Sequence, residues 1–149
     1  MIRISRMTDY GIVLLGCLQQ HHPTSANTLV QITGIPAPTT ARLLRQLTQH
    51  KILSSQQGPN GGYQLAHPPE NITIAQIINA LEGPIALTAC VDNSEIHCST
   101  ATLCPVNGWW NTVNNAVKNA LESLTLADLQ THVNQFIPRI HEISETRAQ

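Results

Sequence analysis

Hydrophobic positions recur at helical spacing along most of this chain and change to a period of two only once. Tyr10, Val13, Leu14, Cys17 and Leu18 fall on one face, so the pattern predicts a first helix capped by Thr8, running to about Gln20 and broken at His21-His22-Pro23. Ser25 caps a second helix, Ala26 to Thr33, with Leu29, Val30 and Ile32 inward and Gly34 as its stop. After the turn Ile35-Pro-Ala-Pro, a third helix runs from Pro38 to about His50 and directs Leu43, Leu44 and Leu47 at the core. Ile52-Leu-Ser-Ser-Gln-Gln and Tyr63-Gln-Leu-Ala then read as short strands joined by a tight turn through Gly58-Pro-Asn-Gly-Gly.

Thr73 opens a further helix, Ile74 to Glu82, whose buried stripe is Ile74, Ile77, Ile78 and Leu81, and Gly83-Pro84 closes it. From Pro105 to Leu124 the apolar positions Val106, Trp110, Val113, Val117, Ala120 or Leu121, and Leu124 alternate steps of four and three. That spacing suits a long packing helix and a dimer seam, with a core helix of the single chain as the alternative. Thr125 caps a last helix from Leu126 to about Phe136, and the segment beyond Pro138 carries too little apolar content to define an element. The predicted fold is mainly α with a small β-wing. A winged helix-turn-helix domain covers 1–83, a cysteine loop 84–104, a long C-terminal dimerisation helix with its packing partner 105–137, and a tail 138–149.

Helix, glycine-containing turn, helix is the DNA-reading pattern, and the outer face of the third helix supports it. Thr39, Thr40, Arg42, Arg45, Gln46 and Gln49 offer hydrogen-bonding reach and positive charge with no acidic residue among them. Such a face suits a DNA groove, against the alternative of a solvated helix surface. The two strands become a wing by following that helix, with Gln57 and Asn60 at its tip. Its glycine-rich turn lacks the Gly-Lys-Ser/Thr ending of a nucleotide phosphate loop.

Composition narrows the partners. Charged residues are 11% of the chain and the net charge is -1, so any DNA-binding surface is a local patch rather than a basic coat. Aromatics are 3%, which leaves Leu, Ile, Val and Ala to build the core and makes association into a homodimer a way to offset thin packing. Leu14-Leu15-Gly16-Cys17 imitates a lipoprotein cleavage site, but Asp9 interrupts its approach and the apolar run is shorter than a signal peptide needs. No window reaches transmembrane length, so a cytoplasmic protein with no membrane partner is expected. Cys17 then reads as a small core residue.

Three cysteines, Cys90, Cys98 and Cys104, crowd the loop before the long helix. Their separations exceed the tight Cys-x-x-Cys hooks of structural zinc, yet allow three thiolates to wrap one inorganic core. Soft thiolates point first to an iron-sulfur cluster, 2Fe-2S or 4Fe-4S, and in the expected compartment metal or redox chemistry outranks a disulfide framework. His97, beside Cys98, is a further candidate ligand, because imidazole also binds iron. A zinc-stabilised or cluster-free DNA-binding regulator, and an iron-sulfur electron-transfer protein, are the competing readings. The last would need no helix-turn-helix. No paired carboxylates or nucleophile motif suggest an enzyme.

The opening Met-Ile-Arg-Ile-Ser-Arg-Met-Thr-Asp-Tyr-Gly, the wing Ser55-Gln-Gln-Gly-Pro-Asn-Gly-Gly-Tyr, the three spaced cysteines and the ending Leu124-Thr-Leu-Ala-Asp-Leu together resemble the IscR/NsrR family of bacterial winged-helix transcription regulators. The stretch from Cys104 through Trp109-Trp110 to Asn119-Ala-Leu-Glu is most similar to the branch that regulates iron-sulfur cluster assembly genes. The resemblance implies a homodimer on double-stranded operator DNA, with cluster occupancy, and through it redox state or nitric oxide, changing DNA affinity.

Two positions depart from the family. Gln57 stands where several members carry an arginine before the wing's Gly-Pro, removing a minor-groove contact. Asn107 stands where one subgroup has a histidine ligand, and asparagine is a poor iron ligand, so a fourth ligand must come from elsewhere. By resemblance to the nitric-oxide-sensing branch, Asp9 in the Thr-Asp dipeptide is the leading choice, donated across the dimer, with His97 second. The alternative role for Asp9 is to meet the helix dipole from the first turn.

Overall fold

A computed structural model of the chain describes residues 3–18, 20–92, 94, 98–99 and 103–133. His97, Phe136 and the segment 138–149 lie outside the described residues.

Helix α1 (Arg6–Gly16) starts before the expected cap, because Ser5 rather than Thr8 closes its N-terminus: the Ser5 hydroxyl accepts from the Thr8 backbone N–H at 3.2 Å. Thr8 is fully buried, and its hydroxyl donates to the Glu82 carboxylate. The helix also ends before Gln20. The backbone N–H groups of Cys17 and Leu18 turn back to Leu14 O and Leu15 O, each at 3.2 Å, which tightens the last turn. Leu14, Leu15 and Leu18 take the core, whereas Val13, expected on that face, is 41% exposed.

Helix α2 (Ala26–Thr33) has the expected ends, with Ser25 capping and Gly34 left-handed at φ 69°. Helix α3 (Ala37–Gln49) carries proline in its first turn, where the missing N–H costs no helical bond. Strands β1 (Leu53–Gln56) and β2 (Gly62–Leu65) pair antiparallel with Leu53 opposite Leu65 and Gln56 opposite Gly62. After a short 3-10 turn, Pro69–Asn71, helix α4 (Ile74–Glu82) opens on a capping box in which Thr73 and Gln76 satisfy each other's backbone N–H. Its buried stripe is Ala75, Ile77 and Ala80, with Ile74, Ile78 and Leu81 half-buried.

Helix α5 (Trp109–Glu122) begins later than the apolar spacing from Pro105 implied. Gly108 holds a left-handed φ of 82° at its cap and interrupts any helical run through 105–108. Helix α6 (Leu126–Val133) opens on Thr125, whose backbone N–H and hydroxyl both donate to the Asp128 carboxylate at 2.8 Å. One hydrophobic core unites Leu14, Leu15 and Leu18 of the α1 region, Leu29 of α2, Leu43, Leu44 and Leu47 of α3, Leu53 and Leu65 of the strands, Ile77 of α4 and Leu126 of α6. Leu126 is fully buried there, so α6 returns to the body formed by residues 1–83 rather than packing only on α5. Among the described residues no helix is long and apolar enough to cross a membrane.

Candidate functional site: the reading face and the cysteine loop

Helix α3 separates its two sides cleanly. Leu43, Leu44, Leu47 and Thr40 are fully buried, while Arg42, Arg45 and Gln49 are exposed and Thr39 and Gln46 flank them half-buried. Thr40 is a correction to the expected outer face. Its hydroxyl donates to Ile35 O at 3.3 Å, so a small polar side chain is satisfied inside the core and cannot reach DNA. The remaining face, Thr39, Arg42, Arg45, Gln46 and Gln49, presents guanidinium, amide and hydroxyl groups with no carboxylate on the helix.

The wing is fixed to this helix by backbone bonds rather than by charge. Ile52 N–H donates to Leu47 O and Ala66 N–H to Ile52 O, both at 3.0 Å, tying the end of α3 to both strands. Thr24 and Tyr63 exchange N–H···O bonds of 2.9 Å, which strap the wing's base to the segment before α2. The turn closes with Gly61 N–H on Gly58 O at 2.9 Å, and a Cβ at Gly61 would collide with the Gln56 carbonyl, so glycine is required for that close approach. Gln57 and Asn60 are exposed at the tip, beside Gly58 and Pro59.

The cysteine loop joins α4 to α5. Cys90, Cys98 and Cys104 are all half-buried, and none of the chain's four cysteines is in a disulfide. Cys17 sits against the core, and burial pushes its thiol above the ordinary range, in keeping with a packing role. Around Cys90 the loop is held by amides from both helices. Asn79 of α4 accepts from Ile85 N–H at 3.2 Å; Asn114 of α5 accepts from Leu87 N–H and donates to Ile85 O, each at 3.0 Å; Asn111 accepts from Asp92 N–H at 2.9 Å. Val91 is buried, and Cys90 shares a 3.2 Å hydrogen bond with the Thr88 hydroxyl. Among the described residues no three His, Cys, Asp or Glu side chains stand together closely enough to hold a metal ion. Asp9 is exposed in the first turn of α1.

Residues 4–132 match the Rrf2 family of iron-dependent transcriptional regulators. The chain belongs to the Rrf2 family. It is 30% identical over 131 residues to protein rrf2 of Nitratidesulfovibrio vulgaris, covering 86% of this chain and 87% of that protein. The solved structure of CymR, the global cysteine regulator of B. subtilis, aligns with a TM-score of 0.67 and 30% identity over 89% of this chain and 98% of that one. T. potens IscR aligns with a TM-score of 0.63 and 26% identity, covering 89% and 88%. The winged helix-turn-helix reading and the IscR/NsrR-type resemblance are thus borne out. The protein is a DNA-binding transcription regulator and not an enzyme.

Within this Rrf2-family fold, Asn79, Asn111, Asn114 and Glu82 were missed by sequence reasoning. A signal existed for two of them. Asn111 and Asn114 stand one turn apart in a helix, where asparagine is a poor helix former and has to bond elsewhere to be tolerated. Glu82 gave none, because its partners Thr8 and Ser5 lie at the other end of the domain sequence.

Proposed function

We propose that this Rrf2-family regulator reads operator DNA as a homodimer and adjusts its DNA affinity to a group held by Cys90, Cys98 and Cys104. The recognition face is Thr39, Arg42, Arg45, Gln46 and Gln49, with Gln57 and Asn60 of the wing on the flanking backbone or minor groove. The three cysteines on one loop, each half-buried and outside any disulfide, are the observation that carries the sensing half of the reading. Their donor chemistry fits an iron-sulfur cluster, and the family's iron-dependent character supports that group first. Bound there, a cluster supplies a site that responds to oxygen, nitric oxide or iron supply. Asp9 of a second copy is the fourth ligand in this reading, and cytoplasmic control of iron-sulfur cluster assembly genes is the corresponding role.

Association is supported by what α5 leaves uncovered. Asn114 is its only buried residue, Trp110, Val113, Val117 and Leu121 are half-buried, Trp109 is 58% exposed, and Leu124 just beyond the helix is 50% exposed. An apolar stripe of this length on the surface of one chain fits a symmetric partner.

The likeness to a cysteine regulator, CymR, favours a second reading in which the loop works without a cluster. The separation of the ligand-type side chains among the described residues agrees with it, since a site would require the loop to rearrange. Anaerobic purification decides between the two, with iron and acid-labile sulfide measured alongside mass by light scattering. We expect a brown protein with iron and sulfide in equal amounts, a mass twice the 16.3 kDa of one chain, and loss of both elements in Cys98→Ala. A colourless protein lacking sulfide would overturn the cluster and select the second reading; a single-chain mass would overturn the dimer.

A further inference from the structure

Around Cys90 the α4–α5 loop takes three side-chain amide bonds from one strip of α5, beside the one that Asn79 of α4 supplies to Ile85 N–H. Asn111 and Asn114 are spaced so that both face the same side of the helix. Asn114 is 5% exposed and makes two bonds to the loop, accepting from Leu87 N–H and donating to Ile85 O, both 3.0 Å. Asn111 accepts from Asp92 N–H at 2.9 Å. The two amides therefore clamp the backbone on either side of Cys90. Neither is needed for the helix itself, since side-chain amides add nothing to its backbone ladder and asparagine is a weak helix former.

From this geometry we propose that Asn111 and Asn114 are the positioning residues of the sensor loop, fixing the Cys90 segment to α5 so that a change at this thiol is felt by the helix. The inference deepens the thiol-sensing reading above and rests on it. The apolar stripe Trp110, Val113, Val117 and Leu121 runs beside the asparagine pair on the same helix, so the clamp joins the cysteine loop to the surface assigned to dimer association.

The test uses the full chain, stripped of any metal, and its own thiols as clocks. Alkylation by iodoacetamide is followed at each cysteine by peptide mass spectrometry in the parent, Asn114→Ala, Asn111→Ala and Asn111→Asp. The readout is the Cys90 rate divided by the Cys17 rate, because Cys17 lies against the core at the C-cap of α1 and reports general loosening. Releasing the clamp raises that ratio about threefold or more in both alanine variants, as expected for local rather than global opening. Asn111→Asp keeps an acceptor for Asp92 N–H and stays near the parent. A ratio in Asn114→Ala below about threefold overturns the proposal, whether Cys90 stays protected or all four thiols open together. Because it is read without a cluster, this result is independent of whether iron and sulfide bind. A colourless parent would end the cluster reading while leaving the clamp to be judged on the ratio alone.

Discussion

Thr39 and Thr40 are neighbours in the chain but serve opposite sides of α3. The leucines at 43, 44 and 47 set the helix's inner side by their spacing, and Arg42, Arg45 and Gln49 follow on the outer side by the same arithmetic. Thr40 escaped that arithmetic because a threonine is small enough to be buried once its hydroxyl finds a carbonyl, here Ile35 O, and that partner lies outside the helix. The arginines carry a direct prediction. Arg42→Ala and Arg45→Ala should each weaken binding to double-stranded DNA, and each phosphate contact removed should reduce the salt slope of log K by about one unit. If the lost contact is to a base, affinity falls by about 1–3 kcal/mol for the preferred sequence with the slope retained. Unchanged affinity and slope in both variants would remove α3 from the interface.

Element ends were legible where the capping bond is local. Ser25 and Gly34 bracket α2, and Thr73 with Gln76 opens α4, because every atom involved lies within four residues of the cap. The start of α1 was not, since Thr8, which reads as a cap, gives its hydroxyl to Glu82 and leaves Ser5 to cap. Glu82 also accepts from Ser5 N–H at 3.0 Å, so α4's last residue holds α1's first turn. Burial acts to raise the Glu82 carboxyl's pKa, but the hydrogen bonds from Thr8 and Ser5 outweigh it and hold it below the ordinary glutamate range. A lowered acid contributes stability that is present above its unfolded value, about 4.3, and lost as pH falls through the folded one. Glu82→Gln should therefore cost about 0.5–1 kcal/mol at pH 7, the figure reduced for an exposed carboxylate, and the gap should be smaller at pH 3. Urea midpoints for parent and variant at the two pH values check this; a gap of equal size at both would assign Glu82 a packing role only.

At the scale of the molecule, the reading head is a single core to which α6 returns, leaving α5 as the element with an uncovered side. Leu126 N–H bonds Ile72 O at 2.8 Å, Ile74 N–H bonds Leu124 O at 2.9 Å, and Gln130 reaches back to Leu18 O, so the chain closes on itself around α4. The order of elements, the wing and the cysteine loop could be read from spacing because each has a local period or a rare residue type. The return of α6 and the amide clamp could not, since both rest on partners distant in sequence. Because the loop springs from α4 and is clamped to α5, a group held by its thiols would lie between the reading head and the face of α5 proposed for association. In the proposed function this group sets DNA affinity, and coupling of that kind is reciprocal. Its most direct test is equilibrium affinity for a DNA duplex selected from a random pool, measured anaerobically for the parent before and after removal of iron and sulfide, and for the protein with Cys90, Cys98 and Cys104 all replaced by Ala. We expect a change of about tenfold or more in the parent on removal, near 1.4 kcal/mol, and none in the triple variant. Equal affinity in all preparations would contradict it and leave a DNA reader whose cysteines do not govern its binding.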